Sequence, residues 1–232
     1  MERCSVKYEF LLFDADGTLF DFLKCEEMAL RIAMKNIGVD LDDEGVALYS
    51  AINDGMWKAL ERGEIDKDSL RVERFRQFGA QYGFNTDFND LSLSYTDNLS
   101  LQNYPIDGAV ELCRRLYGKV KMYVVTNGIE YVQKNRFATS PLRDFFEKLF
   151  ISGEIGFEKP DRRFFEAVER DIPDFNVKKA LVIGDSLTSD MAGGIGYGID
   201  CCWYNPNGKT TDLPIKYTVS DLSEIENIVF GE

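Results

Sequence analysis

The sequence predicts an α/β protein: a Rossmann-like, doubly wound parallel sheet with an all-helical domain inserted into it. Three observations predict this. Five short apolar runs, at 9–13, 121–125, 148–151, 180–183 and 200–203, are mostly free of polar alternation, as strands covered on both faces should be. Helical periodicity follows most of these runs, and alternating strand and helix builds a parallel sheet. From about 21 to 103 the alternation stops, and only helical patterns appear.

The elements follow in order. After the first run come helical patterns at 24–37, 42–60, 67–82 and 87–101, separated by turn signals that include Gly38, Gly63 and Gly83. The chain returns at Tyr104-Pro105-Ile106-Asp107-Gly108, where Pro and Gly mark a turn. The expected division is therefore one domain from 1–20 and 104–232, and a helical one from 21–103. In the first, Ala109, Val110, Leu112, Cys113 and Leu116 share a helix face within 107–117, and Phe164, Phe165 and Val168 share one within 161–171. There is no internal repeat and no low-complexity tract.

Composition narrows the function. The chain has 232 residues, 44% apolar and 29% charged, enough for a substantial core. Acids outnumber bases 40 to 27, giving a net charge of −13, which argues against a nucleic-acid polymer or an anionic membrane as partner. There is no histidine, which removes Ser-His-Asp and Cys-His catalysis, His-liganded zinc and a proximal-His haem. Cys4, Cys25, Cys113, Cys201 and Cys202 are odd in number and contain no CxxC pair, so neither a disulfide framework nor a zinc site is indicated. Reduced, mostly buried thiols in a cytoplasmic protein are the expectation. The apolar stretch 10–13 is too short for a signal segment, and no run approaches the ~18 residues of a membrane span.

Ligands of open α/β sheets bind beyond the carboxyl ends of the strands. The first run is followed there by Asp14-Ala15-Asp16-Gly17-Thr18, the second by Thr126-Asn127-Gly128, and the fourth by Gly184-Asp185-Ser186 with Asp190 beyond; Glu158-Lys159-Pro160 leads into a helix. Two acids at one strand mouth repel each other and call for a cation. Oxygen donors without histidine favour Mg²⁺ over Zn²⁺. The hydroxyl and backbone N–H groups around Thr126 and Asn127 suit a phosphate, and Lys159 is a compact neutralising charge. Each cluster alone reads equally as turn, cap or surface chemistry. All four in this order at strand ends do not.

Phe13-Asp14-Ala15-Asp16-Gly17-Thr18-Leu19, Val125-Thr126-Asn127-Gly128, Lys159-Pro160 and Gly184-Asp185-Ser186 through Asp190 resemble the four motifs of the haloacid dehalogenase superfamily. The resemblance covers essentially the whole chain, with the helical insert at the family's first cap position. It implies an Mg²⁺-dependent phosphatase acting on small phosphate monoesters through an aspartyl-phosphate. Asp14 would be the nucleophile and Asp16 the acid and then the base. Thr126, Asn127 and Lys159 would hold the phosphoryl group. Asp14, Asp16 through its backbone carbonyl, Asp185 and Asp190 would form or support the metal site. A cap can fold over such a site, excluding bulk water and polymeric substrates. Trp57 with Gly63, and Trp203-Tyr204-Asn205-Pro206, resemble bacterial 5′-nucleotidases that prefer pyrimidine or non-canonical nucleotides. Trp57, Phe75, Phe78, Phe84, Tyr95 and Phe157 are open to two readings, base stacking or core.

Other readings remain open. A dehalogenase needs no second acid, so Asp16 favours phosphate chemistry. A sugar-phosphate phosphatase or a phosphomutase fits the same motifs, although related mutases use a cap histidine that is absent here. A phosphonatase would need a cap lysine, for which Lys24, Lys58 and Lys67 are available. A non-catalytic phosphate-binding or interaction module would show a decayed motif set, and none of the motif residues is lost. The oligomeric state is not readable.

Overall fold

Six parallel strands form the sheet of the computed structural model, which describes residues 6–231. In chain order the elements are β1 (Phe10–Phe13), α1 (Phe22–Asn36), α2 (Asp43–Glu61), α3 (Lys67–Tyr82), α4 (Phe88–Ser100), α5 (Ala109–Leu116), β2 (Lys121–Thr126), α6 (Glu130–Thr139), β3 (Lys148–Ile151), α7 (Ser152–Ile155), α8 (Arg162–Asp171), β4 (Ala180–Gly184), α9 (Ala192–Tyr197), β5 (Asp200–Tyr204), β6 (Tyr217–Val219) and α10 (Glu224–Phe230). A π-helical turn, Leu187–Met191, leads into α9. The strand order is β3-β2-β1-β4-β5-β6. The chain winds one way from β1 and the other way from β4, so the reversal lies between these central strands, where open sheets leave a crevice.

Strand parity explains the continuous apolar runs. Leu11, Phe13, Met122, Val124, Leu181, Ile183 and Cys202 join a core on one face with residues of α5 and α10. Phe10, Leu12, Tyr123, Val125, Val182, Cys201 and Trp203 join a second core on the other, with Phe164, Phe165 and Val168 of α8. Both faces are buried, so neither parity can be polar. The α/β class and the helical insertion expected from the sequence are both present.

Two compact units are distinguished: residues up to Asp21 with those from Pro105 onward, and Phe22–Tyr104. In the second, α1 packs on α4 and α2 on α3. Asp42, Asp66 and Asp87 cap α2, α3 and α4 by accepting backbone N–H bonds, each worth about 1 kcal/mol. The rings of Tyr49, Phe75, Phe78 and Tyr95 pack together with no solvent exposure.

Strand β6 was not expected. It has three residues and pairs only with β5, too short a segment to show a pattern. Helices α6 and α7 likewise lack a strong apolar stripe. Cys25, Cys113, Cys201 and Cys202 are buried, the last three as free thiols; Cys4 lies outside the described residues. Among the described residues, no helix is long and apolar enough to cross a membrane.

Candidate active site

Strands β2, β1 and β4 are neighbours, and their carboxyl ends deliver Thr126, Asp14 and Asp185. One carboxylate oxygen from each of Asp14, Asp185 and Asp190 can be chosen so that all lie within 4.8 Å of one another. Lys159, between α7 and α8, is only 1% exposed. Its ammonium donates to Asp14 Oδ1 at 2.7 Å, Asp190 Oδ1 at 2.6 Å and the Val125 carbonyl at 2.7 Å. An ammonium has three donors, and all three are taken. In this arrangement Lys159 therefore orients Asp14 and supplies charge; to bond a phosphate it must release a partner.

The other motif residues secure this arrangement. The Asn127 side chain clamps the Lys159 backbone, donating to its carbonyl and accepting from its N–H, both at 2.8 Å. Thr126 is buried and accepts the Gly128 N–H at 3.0 Å. Thr18 donates to Asp185 Oδ1 at 3.2 Å, and Ser186 N–H to Asp190 Oδ2 at 3.1 Å. The indole N–H of Trp203 donates to the Asp185 carbonyl at 2.9 Å. Trp203 is 3% exposed, so it braces the Asp185 loop and is no stacking surface. Phe75, Phe78 and Tyr95 are likewise core; Trp57, Phe84 and Phe157 are half-buried.

Three motif glycines leave space for these groups. A Cβ on Gly17 would come closer than 3.0 Å to the Asp185 carboxylate, one on Gly184 to that of Asp190, and one on Gly128 to the side chain of Gln133. Gly17 also has φ +85°, which disfavours any side chain.

Asp16 is placed differently. Its carboxylate is not part of the cluster formed by Asp14, Asp185 and Asp190. It accepts from Gln133 Nε2 and from Arg136 Nη1, at 2.5 Å each, on opposite oxygens. Any part Asp16 takes in metal binding therefore falls to its backbone carbonyl. Sequence reasoning missed Gln133 and Arg136. Their only signal was two large polar residues three apart on the helix after Thr126-Asn127-Gly128, and sequence does not reveal that both are buried.

The cluster carries an excess of acid. Burial and then Asp190 push the Asp14 carboxyl well above its ordinary value, against the pull of Lys159. Asp185 reaches solvent on one side; burial of the rest and Asp190 push it up to about 7. Burial would lower Lys159, but Asp14 and Asp190 outweigh it and hold the ammonium charged. Three carboxylates around one ammonium, with oxygen donors only, fit a hard divalent cation.

A sequence profile described as haloacid dehalogenase-like hydrolase matches residues 8–198. The chain belongs to this family. Relatives of this haloacid dehalogenase-like hydrolase include the HAD-hydrolase YfnB of Bacillus subtilis, 36% identical, covering 96% of each chain. The pyrimidine 5′-nucleotidase PynA of Streptococcus pneumoniae is 38% identical over 86% of this chain and 85% of that protein. The pyrimidine 5′-nucleotidase YjjG of Escherichia coli is 29% identical over 97% and 99%. The crystal structure of YfnB, bound to magnesium, superposes with TM-score 0.92 over 96% of this chain and 99% of that one. The carboxylate cluster of this hydrolase is consistent with a divalent-metal site typical of the family.

Proposed function

We propose that this hydrolase is an Mg²⁺-dependent phosphatase of nucleoside 5′-monophosphates, pyrimidine ones above others. The observation that carries the phosphatase half is the Asp14, Asp185 and Asp190 cluster around a buried Lys159. The nucleotide half is supported by the two pyrimidine 5′-nucleotidases among the relatives. The buried free thiols of Cys113, Cys201 and Cys202 agree with a cytoplasmic setting.

Lys159 holds Asp14 Oδ1, leaving the other oxygen for attack. That oxygen bonds to phosphorus as the bond from phosphorus to the ester oxygen breaks. The departing oxygen takes a proton from Asp16. Water then attacks the phosphorus of the aspartyl-phosphate and gives a proton to Asp16; phosphate leaves and the Asp14 carboxylate is restored. Asp14, Asp185, the Asp16 carbonyl and, directly or indirectly, Asp190 would hold Mg²⁺, which would supply positive charge to keep these carboxylates ionised and offset the phosphoryl charge. Thr126 and the backbone N–H groups beside it receive phosphoryl oxygens.

The test is kcat/KM with Mg²⁺ across UMP, dUMP, dTMP, AMP, glucose phosphates and a phosphopeptide. Pyrimidine monophosphates lead; a hexose phosphate ahead of every nucleotide tenfold contradicts the nucleotide half. Turnover is lost in EDTA and restored by Mg²⁺; full activity after metal stripping contradicts the metal role.

A further inference from the structure

We infer that Gln133 and Arg136 are positioning residues for Asp16, holding its carboxylate where it meets the leaving oxygen. The inference rests on the phosphatase reading. Both residues project from α6, three positions apart, and so lie on one side of the helix. They converge on one carboxylate, one donor to each oxygen, at 2.5 Å. Two donors on two oxygens fix the plane of the carboxylate as well as its location.

Both side chains are buried, Gln133 at 1% exposure and Arg136 at 0%. Burying a polar group is costly unless its bonds are made. Gln133 meets that condition only at one end. Among the described residues its Oε1 is buried without a partner, so the amide's side-chain bond there is the one to Asp16. A glutamine retained for packing would satisfy both ends or be apolar. Its space is also provided for, since a Cβ on Gly128 would collide with it.

Arg136 fixes the loop as well as the acid. Its guanidinium lies 4.5 Å from the ring centroid of Phe20, and that ring packs edge-on against Phe137, 5.0 Å away. The segment between Asp16 and Phe20 is closed on itself: Gly17 N–H donates to the Phe20 carbonyl at 2.9 Å, and Phe20 N–H to that of Ala15 at 2.8 Å. Arg136 thus spans the loop from carboxylate to ring. Displacing the carboxylate by an ångström would forfeit the proton transfer, because general acids act only within hydrogen-bond reach.

The experiment exploits leaving-group chemistry. An alkyl oxygen departs poorly without a proton, whereas p-nitrophenolate departs without help. In the folded protein, Gln133→Leu and Arg136→Lys are each expected to lower kcat/KM for the preferred nucleoside monophosphate by about tenfold or more, and for p-nitrophenyl phosphate by less than about threefold. In an Asp16→Asn background, Gln133→Leu adds no loss on the nucleotide, because the two act through one group. Equal losses on both esters, no loss on either, or an additive loss in the Asp16→Asn background overturns the inference while leaving the phosphatase reading intact. If Arg136→Lys does not fold, Gln133→Leu decides alone. Wild-type protein that hydrolyses neither ester overturns the phosphatase reading, and this inference with it.

Discussion

In the helical unit, Glu26 is buried against Ser50 and Asn53, and Asn53 in turn accepts from Arg74 at 2.9 Å. In the α/β unit, Asp14 and Asp190 share Lys159, with Asp185 alongside. Both clusters bury charge, and both push a carboxyl upward: Glu26 by burial, Asp14 by burial and Asp190. They differ in sum. One acid faces one guanidinium in the first; three acids face one ammonium in the second. Satisfaction of hydrogen bonds does not separate them, since among the described residues Arg74 Nη2, Tyr49 OH and Tyr95 OH lack partners in the helical unit and Gln133 Oε1 in the other. A neutral buried cluster is complete as a structural part, whereas an acidic one is completed by a cation from outside.

The comparison can be broken most severely at Arg74. Arg74→Met leaves Glu26 without its counter-charge and is expected to cost about 3–5 kcal/mol. Urea unfolding measures this, and Mg²⁺ still raises the midpoint. If Mg²⁺ no longer stabilises the variant, the two clusters are not independent.

Asp14→Asn acts in the opposite way. Turnover is expected to fall by about a hundredfold or more, since the proposed nucleophile is gone. The metal-free protein melts no lower than wild type, because one of three crowded acids has been neutralised. Phosphate release and a thermal melt in EDTA check both halves, with mass spectrometry to exclude deamidation.

Titration gives a smaller effect. Asp14 is raised and Asp185 is raised to about 7, so the folded state binds more protons than the unfolded one between about pH 4 and 7. Their contribution is full below the unfolded value and is lost as pH rises through the folded one. Metal-free protein should therefore lose several degrees of melting temperature across this interval, with the Mg²⁺ increment growing in parallel and the slope flattening in Asp14→Asn. Equal slopes in wild type and variant would contradict the assignment.

The strands were legible because both sheet faces are buried, which turns Leu11-Leu12 and Val124-Val125 into uninterrupted apolar runs. The site was legible where chemistry follows a strand, as at Asp14, Thr126 and Asp185, and where a charged residue stands at a fixed place in the motif order, as at Lys159 and Asp190. The rest depends on burial, which spacing does not encode. Gln133 and Arg136 read as ordinary polar residues of a helix. Trp203 read only as part of a segment resembling the nucleotidases, yet its ring sits in the core and its N–H serves a neighbouring loop. Phe75, Phe78 and Tyr95 left both readings open, and the packed rings decide for core. Residues 217–219 were too few to show any period at all.

Adjacent residues in a strand face opposite layers, so Cys201 and Cys202 sit side by side in sequence yet in different cores. Cys113 shares the layer of Cys202, and Cys25 lies in the helical unit. Burial pushes the thiols of Cys113, Cys201 and Cys202 up to about 12, so a thiol reagent labels them only when their surroundings open. The protein thus carries its own set of depth gauges. Timed alkylation followed by peptide mapping would give the order in which the two sheet layers and the helical bundle breathe, without introducing a single foreign probe.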